Sequence, residues 1–207
     1  MRPNNQAIKS LAEWENEMKR LLTGAFAALV VICATALSAA PLKLQPANPQ
    51  PSGLKPGLSV RYAYPADVKN LAQASSALEI NAELGQPLAG LDHRDTKAGQ
   101  KTLTSDRAMN VVAGIKGYVH FANPGVYNID FLTNDGLRAS IGGQVVGHFD
   151  GRQACDNTVM SEVEVPKAGW YQVDVLYFQR TGTACLHMRM GPEGKRPRWM
   201  PNKAFGH

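Results

Sequence analysis

The stretch NPGVYNIDFLTNDGLRASIGGQVV, residues 123–146, decides the fold. Apolar and polar side chains alternate along residues 126–132 and again along residues 137–141, and the triplets Asn-Pro-Gly and Asn-Asp-Gly and the pair Gly-Gly bound these runs. A period of two places successive side chains on opposite faces, which is the pattern of a half-buried β-strand. Gly-Gly supplies the positive φ that a two-residue hairpin turn needs. The stretch therefore predicts consecutive antiparallel strands joined by tight turns.

The same alternation recurs on both sides of this stretch. Further strand candidates, separated by turns rich in Gly and Pro, lie at residues 117–121, 163–165, 170–178 and 186–190. Several short strands with no helical pattern between them favour an antiparallel β-sandwich or a barrel. The first half is less regular: residues 68–83 leave a short helix or an irregular crossing open, and residues 89–101 predict a long polar loop. We therefore expect an all-β domain.

The N-terminal region carries the three parts of a secretory signal peptide. Lys19-Arg20 precedes an apolar run over residues 21–37, and small residues follow at 38–40. This order predicts a signal peptide over 18–40, with residues 1–17 as a possible over-long start. Cleavage fits after Ala36 or after Ser38, and a retained N-terminal anchor is the alternative. We expect the protein to be secreted or periplasmic.

The three cysteines divide into one inside the apolar run and two inside the expected domain. Cys33 is expected to leave with the signal peptide, which leaves Cys155 and Cys185. Export permits a disulfide, and an even pair in an exported domain is more often bridged than free. The sequence therefore predicts a Cys155–Cys185 disulfide that closes a loop of about 30 residues.

Charge and composition set the remaining boundaries. From residue 41 onward there are 18 Lys and Arg against 14 Asp and Glu, a net charge of +4, and residues 191–207 alone carry +3. The basic pI therefore describes a short tail rather than a nucleic-acid-binding face. Five prolines within residues 41–56 predict an extended linker. We expect a linker over 41–56, one domain over 57–190 and a basic, irregular C-terminal tail over 191–207.

Several stretches together resemble a known module, the domain named after the fourteen-kilodalton fragment of anthrax protective antigen, which also occurs in yeast flocculins and some β-glucosidases. The stretches that carry the resemblance are GLSVRY at 57–62, SDRAMNV at 105–111, PGVY at 124–127, NDGLRASIGGQVV at 134–146 and AGWY at 168–171. The resemblance covers roughly residues 55–190 and implies a protective-antigen-type β-sandwich. It also implies a non-catalytic binding module, for a carbohydrate or another cell-envelope glycan.

The resemblance places a candidate site at the Asn134-Asp135-Gly136 turn. In the flocculin lectins of this family, an Asp-Asp turn holds a calcium ion that coordinates sugar hydroxyls, and calcium requires several hard oxygen ligands. Here Asn134 replaces the first Asp, which removes one charge. Asp150, Asp156 and Asn157, in the loop that carries Cys155, are the candidates for additional ligands. The alternative is that Asn-Asp-Gly makes a turn and nothing more.

Enzyme and nucleic-acid functions find little support in the sequence. It contains no His/Cys metal spacing, phosphate loop or Gly-x-Ser-x-Gly elbow, although a distant carboxylate pair for glycoside hydrolysis is left open. We expect a glycan or another envelope component as partner and no nucleic acid. Membrane contact would come through an uncleaved signal or weak contacts of the basic tail. The alternative function is a structural or assembly protein of the envelope that acts through protein contacts.

Overall fold

The structure is a computed structural model that describes residues 40–207. The predicted start at 1–17 and the predicted signal peptide, Cys33 included, lie outside the described residues except for Ala40. Among the described residues, no helix is long and apolar enough to cross a membrane.

Short strands dominate residues 40–207. In chain order the elements are β1 (Leu42–Lys43), β2 (Ser59–Ala63), α1 (Leu71–Asn81), β3 (Glu83–Leu84), β4 (Asp92–His93), β5 (Val111–Phe121), β6 (Gly125–Asn134), β7 (Gly136–Ile141), β8 (Gln144–Phe149), β9 (Asp156–Asn157), β10 (Ser161–Val165), β11 (Gly169–Gln179), β12 (Cys185–Pro192), β13 (Arg198–Trp199) and β14 (Phe205–Gly206). A 3₁₀ turn at Asn202–Ala204 precedes β14.

Two sheets pack face to face, as the predicted β-sandwich requires. The first sheet has the order β1-β10-β6-β12-β13, with β4 beside β12 and β9 beside β6. The second sheet has the order β3-β2-β5-β11-β7-β8, with β14 beside β5. All of these pairings are antiparallel except that of β1 with β10. The predicted fold class, an all-β antiparallel sandwich, is confirmed.

The core lies between the sheets and follows the predicted alternation. Ile129 and Phe131 of β6 point inward and are fully buried, as are Val173 and Val175 of β11. The turn at residues 142–143 joins β7 to β8, and both glycines have positive φ, +53° and +79°. The period-two pattern therefore predicted these strands correctly, because one face of each strand lies in the core and the other faces solvent or a covering segment of the chain.

The first half contains the one helix of the described chain. Asn70 caps α1 by accepting a hydrogen bond from Gln73 N at 2.9 Å. Leu71 and Ala74 pack against Phe178 and a small apolar cluster on the outer face of the second sheet. Of the two possibilities that the sequence left open for residues 68–83, the structure contains the helix.

Both flanks pack on the sandwich, in contrast to the predicted linker and tail. In residues 41–56, β1 pairs with β10, and Leu44 is 1% exposed. In residues 191–207, β13 pairs with β12, β14 pairs with β5, and Phe205 is buried. The reason is that the sheets offer backbone donors and acceptors to any extended neighbour, and short strands rich in Pro or charge suit that position.

Candidate functional site

The Asn134-Asp135-Gly136 turn connects β6 of the first sheet to β7 of the second. It therefore lies at one end of the sandwich, where the chain passes between the sheets. Asn134 and Asp135 are each only 6% exposed, and the peptide bond between them is cis. A buried connection of this kind has to satisfy its polar groups within the protein, since water does not reach them freely.

The Asp135 carboxylate accepts two backbone hydrogen bonds from separate loops. Gln153 N donates to Oδ1 at 3.2 Å, and Arg180 N donates to Oδ2 at 2.8 Å. Burial raises the pKa of Asp135, while these two N–H donors and the nearby charges of Arg152 and Arg180 oppose the rise. The carboxylate thus ties the loop after β8 and the loop after β11 to the turn.

The backbone of the turn is held from the core side. The Tyr177 hydroxyl donates to the Asn134 carbonyl oxygen at 2.6 Å, and Asp135 N donates to the Phe178 carbonyl oxygen at 3.1 Å. Thr133 Oγ1 donates to the Asp135 carbonyl oxygen at 3.2 Å. Tyr177 is fully buried, and this burial raises its pKa well above the usual range, so the hydroxyl stays a donor.

The Asn134 side chain has one satisfied and one unsatisfied polar atom. Its Nδ2 lies 3.4 Å from Thr183 Oγ1 and donates to it. Its Oδ1 is buried and accepts no hydrogen bond from any part of residues 40–207. A buried acceptor without a donor costs about 1–3 kcal/mol. A water molecule or a cation that binds to this oxygen would remove that free-energy cost.

Asp150 and Asp156 are engaged elsewhere. Asp150 Oδ1 accepts a hydrogen bond from Leu71 N at 2.7 Å, at the start of α1. Asp156 is exposed, and its Oδ1 accepts from Asn157 N at 2.7 Å. Within residues 40–207 these two carboxylates and that of Asp135 do not form a group with ligand atoms all within 4.8 Å. The structure therefore brings Asn134 and Asp135 together but does not gather Asp150 and Asp156 around them.

Gly136 has a packing reason to be glycine. A Cβ at this position would lie 2.1 Å from Cε1 of Phe178, well inside contact distance. The first residue of β7 must therefore lack a side chain for the strand to approach the ring. A ligand-binding role for Gly136 stays a prediction.

The predicted disulfide is present and lies beside the turn. Cys155 and Cys185 are bridged with Cα atoms 5.9 Å apart, and Cys185 is the residue opposite Asn134 in the β12–β6 pairing. The bridge thus anchors the loop that carries Gln153, whose amide donates to Asp135. Sequence reasoning found the cysteines but missed Gln153 and Arg180, because both act through backbone N–H groups that leave no residue signature.

The PA14 domain family matches residues 55–203 of this chain. No curated protein sequence matches it. Among solved structures, the PA14 domain of the antifreeze protein MpAFP is 15% identical, covering 75% of this chain and 93% of its own length with a TM-score of 0.64. The PA14 sugar-binding domain of an RTX adhesin is 17% identical, with coverages of 73% and 98% and a TM-score of 0.58.

A third similar structure is the A domain of epithelial adhesin 6 from Candida glabrata, in complex with Galb1-3GlcNAc. It is 14% identical, covers 82% of this chain and 93% of its own length, and has a TM-score of 0.57. Identities this low establish a shared fold rather than a shared ligand.

Proposed function

The chain belongs to the PA14 domain family, and we propose that it is an exported, non-catalytic carbohydrate-binding module whose site is the Asn134-Asp135-Gly136 turn. Two structurally similar domains support a glycan as the ligand class, one described as sugar-binding and one bound to Galb1-3GlcNAc. The observation that carries the choice of site is the Asn134 Oδ1 atom, which is buried next to Asp135 in the chain and accepts no hydrogen bond from residues 40–207.

Calcium is part of this proposal, and two residues fit it. Asn134 Oδ1 is an unsatisfied oxygen, and each Asp135 oxygen accepts a single backbone N–H, which leaves lone pairs on both. Oxygen donors of this kind suit calcium, which would supply coordination positions for sugar hydroxyls. Asp135 brings the only formal charge of the pair, so affinity should lie below that of an Asp-Asp turn. Asp150 and Asp156 keep their own hydrogen-bond partners and are left out of this ligand set.

The protein supports such a site by fixing its oxygens. Tyr177 holds the Asn134 carbonyl, and the amides of Gln153 and Arg180 orient the Asp135 carboxylate. Orientation before binding lowers the entropy cost of ordering these groups when a ligand arrives. The site therefore depends on two loops, one cross-linked by the disulfide and the other continuing directly from β11.

Two observations support export to the periplasm or the cell exterior. The Cys155–Cys185 disulfide is stable in an oxidising compartment and rare in a reducing one. The predicted signal peptide at residues 18–40 points the same way.

The proposal is tested by a glycan array, with and without a calcium chelator. We expect glycan binding that is lost on chelation. The variant Asn134→Asp restores a second carboxylate and should strengthen calcium binding, measured by calorimetry, about tenfold or more. Asn123→Asp, at an exposed loop position, adds the same charge elsewhere and should leave calcium binding unchanged.

Three outcomes contradict the proposal in part or in whole. Chelator-insensitive glycan binding rejects the calcium ion but keeps the lectin function. Equal effects of the two substitutions reject the turn as the site. A pull-down that yields a specific envelope protein, from a chain that binds no glycan, supports the alternative role in envelope assembly.

A further inference from the structure

A concave, positively charged surface lies along the free edge of the first sheet, where residues 193–197 fold back beside β12 and lead into β13. The cavity has a volume of about 830 Å³. We call it the basic groove, and its charged and aromatic lining consists of Arg189, Lys195, Arg196, Arg198 and Trp199. Its volume lies within the range of ligand sites, about 300–1,000 Å³.

The cations of the basic groove are largely uncompensated. Arg189 is paired with Asp130, but Lys195, Arg196 and Arg198 form no ion pair with any acidic group of residues 40–207. Within the described range 40–207, no acidic residue is among those that line the groove. Three like charges on one short segment repel one another, and a bound anion relieves that repulsion.

Trp199 is fixed at the wall of the groove rather than mobile. Its backbone pairs with Arg189 of β12, and the next residue, Met200, is buried. The ring centroid lies 5.4 Å from the Arg189 guanidinium carbon and 5.7 Å from that of Arg94. Trp199 as a residue nevertheless remains 39% exposed, which is unusual for a tryptophan in an ordered strand.

We propose that the basic groove binds an acidic glycan, a polysaccharide whose sugars carry carboxylate or phosphate groups. Arg196 and Arg198 offer planar forks that match either anion, and Lys195 adds a point charge. Trp199 and the neighbouring Met190 and Pro197 provide the apolar surface that a sugar ring covers. A flat membrane surface fits a concave cavity poorly, so the shape favours a chain-like ligand.

This site is separate from the Asn134-Asp135-Gly136 turn and does not rest on the proposed function. Asn134 lies opposite Cys185 on β12, and Arg189 is four residues further along that strand. At about 3.3 Å per residue, the separation along β12 is about 13 Å. A chain that binds no neutral sugar at the turn can therefore still bind an acidic glycan in the groove.

The test measures binding of the full chain to polygalacturonate, to its neutral methyl ester and to poly(ribitol phosphate) by calorimetry. A triple variant, Lys195→Gln/Arg196→Gln/Arg198→Gln, removes three exposed cations that hold nothing else by an ion pair in residues 40–207. The matched control is Lys55→Gln/Arg138→Gln/Lys167→Gln, which removes the same charge from exposed positions outside the groove.

We expect the wild type and the control variant to bind at least one anionic polymer and not the methyl ester. The groove variant should bind this anionic polymer about tenfold more weakly than the wild type does. Raising the ionic strength, which shortens the Debye length from about 30 Å to about 8 Å, should weaken binding by the wild type. Circular dichroism checks that both variants are folded, and Trp199→Ala should also weaken binding.

Which of the two charged polymers binds tells whether the anion is a carboxylate or a phosphate. Equal losses in the groove and control variants would show that overall charge, not the groove, is responsible. Binding of phosphatidylglycerol vesicles in place of both polymers would overturn the glycan assignment. Binding of neither polymer would overturn the proposal, while leaving calcium-dependent sugar binding at the turn untouched.

Discussion

Replacing Cys155 and Cys185 together by alanine removes the cross-link between the loop after β8 and the first residue of β12. The bridged residues are 30 apart in sequence. In the chain-entropy description, opening a loop of this length costs about 3–4 kcal/mol of stability. For a folded unit of about 170 residues, that loss corresponds to a melting temperature lower by roughly 10 °C. Alanine is chosen because Cys185 is fully buried, and serine would add a buried hydroxyl there.

Urea unfolding measures both the size and the origin of this change. If the bridge acts on the unfolded chain, the double variant should show a larger m-value, since its unfolded state is less compact and exposes more surface. Wild-type protein unfolded with a thiol reductant should show the same midpoint as the variant. Amide hydrogen exchange at Gln153 should also become faster, because the loop that carries this donor to Asp135 is no longer anchored.

A loss below about 1 kcal/mol would refute the reasoning, since it would mean that the loop is held by its other contacts. A normal loss with an unchanged m-value would also count against it. In that case the cost would come from packing around the sulfur atoms, not from the freedom of the unfolded chain.

Three further changes probe the turn and its surroundings. Tyr177→Phe removes the hydroxyl that donates to the Asn134 carbonyl oxygen, and urea unfolding should show a loss of about 1 kcal/mol. Gly136→Ala forces a methyl group against Phe178, so calorimetry should show a destabilisation of about 1–3 kcal/mol; an unchanged melting temperature would contradict the packing reason. Hydrogen bonds from Arg180 and then Lys69 lower the pKa of Asp67 to about 2, below its unfolded value. The stability contributed by Asp67 should therefore be complete above about pH 4 and disappear as the pH falls through about 2, whereas Asp67→Asn should lack this pH-dependent contribution.

The positions of the central strands follow from the sequence alone. Residues 126–132, 137–141 and 170–178 alternate with a period of two, and β6, β7 and β11 contain these runs. A strand with one face in the core needs that alternation whatever its neighbours are, so the signal is local. The disulfide and the glycine hairpin at 142–143 were likewise predictable, because cysteine and glycine each carry a chemistry that few other residues can replace.

Tertiary structure alone decided what surrounds the turn. Asp135 receives its hydrogen bonds from residues 18 and 45 positions away, through backbone N–H groups that every residue except proline possesses. Asp150, a residue of the right type for calcium, is instead bound to the start of α1. Residue type thus identified the turn, but the choice of partners depends on which loops the two sheets bring together.

Residues 41–56 and 191–207 also show the difference between what composition predicts and what tertiary structure decides. Composition alone predicts a linker over 41–56 and a tail over 191–207, because neither stretch holds enough apolar residues to form a core of its own. In the folded protein they need no separate core, since β1, β13 and β14 pair with strands that are already in place. The sequence by itself determined that this chain forms a disulfide-bridged sandwich. The basic groove exists only because the last residues return to the edge of a sheet, where backbone pairing holds in place the charges of the stretch that composition predicts to be an irregular tail.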